Sequence, residues 1–331
     1  MSTRRTLGAV CTAGALALLA ACGTTDAPAD ESTTTASGAG PVSITDDRGE
    51  KVELDAPAVK VVSLEWMQTE ILASLGVTPV GAADVAGYTS WVGNSVPLPG
   101  DPEDVGTRGE PSVEAIASLE PDLIVGVTSS IPEGALDQFN RIAPVALFDG
   151  ADAADPIGYV NDVTTAIGTL VGKDDEAAEV IDDANARIEE NATAIADAGL
   201  DGTPIVFASP YAEGANVTVR MHGPRSAFQA VALQMGLASA TEDPGDDAYG
   251  LSYLDVEGLT ALPAETRFLY WGNDDEEDTV TTVLADNPIW QSLPFVQQGH
   301  VYRAGVGIWA YGGPESLAAW SDDLVAQLTA A

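Results

Sequence analysis

The stretch DDEAAEVIDDANARIEENATAIADA, residues 174–198, decides how the rest of the chain is read. Ala177, Ile181, Ala184, Ile188 and Ile195 recur at the spacing of one helix face. Asp174, Asp175 and Glu176 stand where the helix dipole favours carboxylates, and Gly199 follows the last turn. At 1.5 Å per residue such a helix is about 37 Å long. One small lobe does not need that length, so the segment reads as a connector between two.

On either side the periodicity changes. Upstream, a hairpin over residues 42–54 turning at Asp47-Arg48-Gly49 precedes strands at 59–64, 80–83, 122–127 and 145–148, which alternate with helices at 67–75, 112–119 and 135–142. Downstream, strands at 205–208, 216–221, 268–271 and 301–303 alternate with helices at 226–235, 279–285 and 314–328. Such alternation predicts parallel sheets covered by helices. The expected fold is α/β, two Rossmann-like lobes joined by a single long helix, with the N-terminal lobe at 41–155, a bridging helical segment at 156–200 and the C-terminal lobe at 201–331.

The first residues place the chain outside the cytoplasm. Arg4 and Arg5 are the only charges in residues 1–21, an uncharged run follows from Thr6, and small residues end it, the order of a secretory signal. The run is too short for a permanent span, which needs roughly twenty residues. Leu19-Ala20-Ala21-Cys22 resembles the lipobox of bacterial lipoproteins, and the resemblance implies that Cys22 carries lipid and anchors the chain to the cell membrane. Cys11 falls inside the leader, so no disulfide is expected after cleavage. Residues 22–40 read as the lipidated cysteine and a flexible tether, because 23–40 hold no large apolar residue.

Charge excludes some partners. With 51 Asp and Glu against 13 Lys and Arg, the net charge of -38 argues against nucleic acid or anionic lipid as a ligand. A monomer is expected.

In α/β sheets ligands bind beyond the carboxyl ends of strands, and between two lobes those ends face a common cleft. The loops expected there, at 65–66, 84–108, 128–133, 209–211, 249–253 and 305–311, hold most of the tyrosine and tryptophan, and Trp66, Tyr88, Trp91, Tyr249, Trp309 and Tyr311 among them are the candidate pocket walls. Arg108 lies on the same set of loops. Aromatic faces suit the apolar body of a chelated metal complex, and a guanidinium addresses several chelating oxygens at once. The competing structural readings are a salt bridge from Arg108 to Glu110 or Glu114, and loop packing for Tyr88 and Trp91.

The runs VKVVSLEWMQTEILASLGVTPVGAADVAGYTSWV and LPGDPEDVGTRGEPSVEAIASLEPDLIVG, with NPIWQSLPFVQQGHVYRAGVGIWAYGGPESLAAW near the C-terminus, resemble ferric-siderophore-binding proteins of ABC importers, most of all the hydroxamate-binding branch. The resemblance spans nearly the whole mature chain. It implies the class III solute-binding fold, a rigid bridging helix and a shallow cleft that changes little on loading. It assigns Trp91 to the pocket wall and Arg108 to hydroxamate oxygens, and it places Tyr249 where that branch has a pocket tryptophan. A family pocket tyrosine after the 122–127 strand is replaced by Thr128 or a neighbour. The same resemblance implies that Glu133 and Glu257 dock with the permease, although both also fall near helix starts, where a carboxylate caps well.

The ligand is thus expected to be a ferric siderophore, already chelated, with no resident cofactor and no protein metal ligands. A low net charge on it is expected, since a single cleft arginine cannot balance a tris-catecholate. Heme or cobalamin carriage by the same fold is the alternative, with Tyr88, Tyr249 and Met221 as the side chains that keep heme open. A siderophore-processing surface enzyme is the reading from another class. No Gly-x-Ser-x-Gly elbow is present, the glycines at 305–307 lack a following strand for a dinucleotide site, and only His222 and His300 are available as bases. The acidic run at 274–278 reads as solvated surface.

Overall fold

A computed structural model describes residues 40–214 and 216–330. The leader and Cys22, and all of the expected tether except Gly40, lie outside the described residues. The chain begins with the antiparallel hairpin β1 (Val42–Thr45) and β2 (Lys51–Leu54), turned where the sequence placed it. Next come β3 (Val61–Ser63), α1 (Trp66–Ser74), β4 (Gly81–Ala82), α2 (Val85–Trp91), and the short strands β5 (Glu103–Asp104), β6 (Gly106–Thr107) and β7 (Glu110–Pro111). The elements α3 (Val113–Leu119), β8 (Leu123–Val127), α4 (Leu136–Phe139) and β9 (Val145–Phe148) complete this half.

Strands β5-β4-β3-β8-β9 form one all-parallel sheet. Its strands β3, β8 and β9 read VVS, LIVGV and VALF and are buried at every position, as expected of a parallel sheet covered on both faces. Strand order reverses between β3 and β8. That is the switch point where an open sheet leaves a crevice at its carboxyl edge.

The connector holds two helices: α5 (Pro156–Val171) and α6 (Asp174–Asp197). The periodicity identified the second; the first is capped by Asp155, starts at Pro156 and ends on Gly172 at φ 66°. Helix α6 buries Ala177, Ala184, Ile188 and Ile195, with Ile181 half-buried, against the last helix of the chain.

The second sheet holds β10 (Pro204–Glu213), β11 (Asn216–His222), β12 (Ala238–Ser239), β13 (Leu251–Leu254), β14 (Arg267–Tyr270) and β15 (Val301–Arg303). Its order is β13-β11-β10-β14-β15 with β12 beside β10; β10, β14 and β15 run parallel, while β11 and β13 are antiparallel. Helices α7 (Ala227–Gln234), α8 (Pro288–Ser292), α9 (Pro294–Gln297) and α10 (Pro314–Thr329) pack on it. The helix expected at 279–285 is instead a set of turns running into a 3₁₀ turn, Leu284–Asp286. Asp278 accepts the Val280 and Thr281 amides there, an alternative to helical pairing that favours turns.

Each sheet has its own outer core, around Ile124 and Phe139 in one and Phe268 and Phe295 in the other. Between them a third, continuous core runs from Val61 and Ile71 through Ile167 and Ile188 to Phe207, Phe228 and Trp320. Trp320 is fully buried, stacks on Phe228 at 4.7 Å and donates its indole N–H to Phe228 O at 2.8 Å. A core shared by both sheets makes separating them costly in apolar exposure. Among the described residues no helix is long and apolar enough to cross a membrane.

Candidate functional site

The carboxyl ends of both sheets meet across two adjoining hollows of about 400 and 470 Å³. Arg108, Arg220, Trp309 and Tyr311 belong to both, so they form the ridge between them.

Three helix and turn starts set the N-terminal wall. Glu65, directly after β3, accepts the Trp66 amide at 2.9 Å and caps α1, so Trp66 sits at the first turn. Asp84, at φ 53° and ψ 60°, caps α2 by accepting the Gly87 amide, and its carbonyl takes the Trp66 indole N–H at 3.2 Å. Helix α2 carries Trp91 at its end, where the sequence had suggested a loop. The turn between β6 and β7 carries Arg108.

Trp91 packs edge-on against Trp271 at 5.2 Å and Trp309 at 5.9 Å; Trp66 meets Trp309 at 4.7 Å. The Arg108 guanidinium lies 4.1 Å from the Trp66 ring centre and 5.0 Å from that of Trp309, a cation–π geometry worth about 0.5–2 kcal/mol. Its Nε is 2.8 Å from Glu65 Oε1, close enough to pair the charges. Yet the N–H points off that oxygen and makes no hydrogen bond. The carboxylate beside Arg108 is therefore Glu65, not Glu110 or Glu114.

Trp91 and Arg108 thus line one hollow, together with Trp66, Trp309 and Tyr311. Tyr249 lines the other, its hydroxyl so close to Gly150 that a side chain there would collide with it. Tyr88 is a correction. It is fully buried and donates its hydroxyl proton to Val96 O at 2.8 Å, because α2 turns it beneath the cleft surface and into the small core it shares with Val92, Trp66 and Trp309. Burial drives its hydroxyl pKa far above the usual tyrosine range. Thr128 faces away from both hollows; Ser129 lines the second.

The C-terminal wall also holds Ser209, Tyr211 and Tyr253, from stretches the sequence places at the cleft, and Arg220, Trp271 and Glu276, which sequence reasoning passed over. A signal existed for Arg220. Val217, Val219 and Met221 are buried on β11 and Arg220 alternates with them, which points it away from the core. It pairs across the ladder with Tyr253 and lies 5.9 Å from the Tyr211 ring centre. No carboxylate stands within ion-pair distance of Arg220 among the described residues.

Beneath this wall His222 is buried, its Nε2 3.1 Å from Ser209 Oγ. Burial, then the Arg220 charge, lowers its pKa to about 3, so the ring is neutral near pH 7. Burial pushes the Tyr311 hydroxyl up to about 12 against the opposing pull of Arg220. The acidic run is not mere surface: Asp275 accepts the Ser90 hydroxyl at 2.8 Å, Asp274 pairs with Arg303 at 3.0 Å, and Asp278 accepts the Tyr270 hydroxyl.

Three donors at the ridge are buried without a hydrogen-bond partner: Arg108 Nε, Arg220 Nε and Trp309 Nε1. A buried unpaired donor costs roughly 1–3 kcal/mol. The arrangement suits a ligand that presents acceptor oxygens to the ridge and an apolar body to the indoles. Among the described residues no group of three or more His, Cys, Asp or Glu is placed to hold a metal ion.

Glu133 and Glu257 are exposed, outside both hollows, and neither carboxylate has a hydrogen-bond or ion-pair partner among the described residues. Glu257 is the N-cap residue of a 3₁₀ turn, Gly258–Ala261, but neither glutamate side chain makes a capping hydrogen bond.

A family profile described as Periplasmic binding protein matches residues 61–305. The iron(3+)-hydroxamate-binding protein FhuD of Escherichia coli is 26% identical over 254 residues, covering 76% of this chain and 81% of that protein. The Fe(3+)-citrate-binding protein YfmC of Bacillus subtilis is 27% identical over 276 residues, covering 80% and 79%. Among solved structures, the Fe3+-Desferal-bound siderophore-binding protein FhuD of Vibrio cholerae superposes with a TM-score of 0.71 at 28% identity, over 82% of this chain and 98% of that one.

Proposed function

The chain belongs to the periplasmic binding protein family, and from that premise we propose that it captures a ferric siderophore in the inter-lobe cleft and delivers it to the permease of an ABC importer. The single observation that carries this reading is the pair of guanidinium groups, Arg108 and Arg220, set among four tryptophans that line the cleft. A hydroxamate complex fits it. Chelating oxygens take N–H groups of Arg108 and Arg220, and the linking chains lie on Trp91, Trp271 and Tyr311. The protein supplies orientation and desolvation, with no covalent step and no resident cofactor.

A second reading, a citrate-type complex, is favoured by Arg220, with which no carboxylate among the described residues pairs. Two cleft arginines admit a ligand of net negative charge, which a lone Arg108 did not. A titration panel of ferric hydroxamate, citrate, catecholate, heme and cobalamin, read by tryptophan quenching, tests both. The expected result is tight binding of a ferric hydroxamate, weakened more than about tenfold by Trp91→Ala or Arg108→Ala. Wild-type titrations in both variants would remove the site.

Delivery rests on Glu133 and Glu257, exposed and unpaired, as the carboxylates that meet basic residues of the permease. Replacing both with alanine should leave binding intact and abolish uptake of the ferric complex by cells; uptake at the wild-type rate would refute docking through them. Cys22 is the proposed lipid attachment, holding the protein outside the cytoplasm at the membrane surface.

A further inference from the structure

By chain order, residues 306–316 belong with the C-terminal sheet, where Trp309 and Tyr311 meet Trp271, yet hydrogen bonds also tie the segment to the other side of the cleft. Asn94 Nδ2 donates to Val306 O at 2.7 Å, and the Ser95 amide and hydroxyl donate to Gly307 O at 3.2 and 3.1 Å. Trp66 holds Trp309 edge-on. At the far end Glu70 accepts the Ser316 amide at 2.9 Å and the Ser316 hydroxyl at 2.7 Å.

Trp66 and Glu70 are four residues apart on α1, hence on one face of it. One helix of the N-terminal half therefore grips the 309–316 segment at two points, a turn apart. Helix α10 begins at Pro314 behind Gly313, which offers no side-chain cap. The Ser316 amide is one of the orphan donors of that first turn, and a carboxylate from a different helix satisfies it. Contact is close enough that a side chain at Gly312 would collide with Glu70 Oε2 and Ser316.

Stability alone does not account for Glu70. It is fully buried with no basic partner among the described residues, and burying a carboxyl opposes folding where an apolar side chain of like size would favour it. Burial raises its pKa to about 7, against the pull of the Ser316 hydroxyl and amide and the Gly313 amide; Glu315 adds to the rise. What the residue does supply is a fixed position for α10 and for the loop just ahead of it.

We propose that Glu70 is a positioning residue for ligand binding: by holding the start of α10 from across the cleft it fixes Trp309 and Tyr311 as the ridge on which the ligand rests. This rests on the cleft being the ligand site, so the test has one arm without ligand. In the near-ultraviolet circular dichroism of the ligand-free protein, Glu70→Ala should lose the signal of the coupled Trp66–Trp309 pair. Glu70→Gln, which can accept the Ser316 amide and donate to its hydroxyl, should restore it. Ser316→Ala, missing one bond, should show a smaller change of the same kind. Leu72→Ala, a buried deletion on the same helix, should lower the melting temperature and keep the signal.

The second arm titrates the ferric complex of desferrioxamine B. Affinity should fall at least about tenfold in Glu70→Ala and stay within about threefold in Glu70→Gln. A Glu70→Ala protein with wild-type dichroism overturns the proposal, and so does a Leu72→Ala protein that loses the signal to the same degree. Should the wild type ignore every ferric complex, the ligand reading fails while the dichroism still decides the role of Glu70.

Discussion

Arg108 and Arg220 face the same cleft from opposite halves of the molecule. Arg108 sits on a turn, charge-paired with Glu65 at 2.8 Å and laid against Trp66 and Trp309. Arg220 sits mid-strand between Tyr211 and Tyr253, with no carboxylate in reach among the described residues. In a chain with 51 Asp and Glu, the missing partner is not a matter of supply. The N-terminal wall holds its arginine against a carboxylate; the C-terminal wall holds one with no carboxylate in ion-pair contact among the described residues, Glu276 and Asp246 lining the hollows at longer range. Behind each stands a buried titratable group of opposite response: Glu70, raised to about 7, and His222, lowered to about 3.

That opposition gives the largest expected effect. Glu70 has a folded pKa above its unfolded value, so its contribution to stability is full below about 4.5 and is lost as pH rises through 7. His222 has a folded pKa below its unfolded 6.5, so its contribution holds above 6.5 and is lost as pH falls toward 3. Glu315 on α10 and Tyr88 on α2 are the titratable groups coupled to Glu70. Urea unfolding should therefore show Glu70→Gln gaining about 3 kcal/mol on the wild type between pH 5 and pH 8. A constant difference across that range would mean that Glu70 does not titrate there.

Next in size is the arginine contrast itself. Arg220→Ala should weaken an anionic ferric citrate by about 30-fold at low salt and a neutral ferric hydroxamate far less. Equal losses for the two ligands would erase the distinction between the walls. The smallest effect comes from making the walls alike. Glu65→Gln keeps an acceptor for the Trp66 amide but frees the Arg108 charge, so anionic complexes should bind a few-fold tighter, a gain that 1 M salt abolishes. No gain at low salt would show that Glu65 does not set the charge of its wall.

Much of the fold was legible before the coordinates. Buried runs such as LIVGV and VALF, and the acidic start and glycine end of α6, are local signals, and each forms the element its spacing implies. Helices α2 and α5 were not read: α2 is a single pair of turns begun by a left-handed Asp84, and α5 is apolar over much of its surface, which blurs its periodicity. Within the site, Trp91 and Arg108 were legible from the motif around them. The inward turn of Tyr88 was not, since a two-turn helix rotates its side chains by an angle that a loop reading leaves open.

Sequence alone determined the α/β alternation and the family. Those properties depend on neighbours within a few residues, whose spacing and chemistry are printed in order along the chain. Only the tertiary structure decided that Glu65 pairs with Arg108, that no carboxylate among the described residues pairs with Arg220, and that Glu70 reaches Ser316. Such pairings join residues tens to hundreds of positions apart, and they exist only once both sheets have packed onto one core and fixed where each side chain ends.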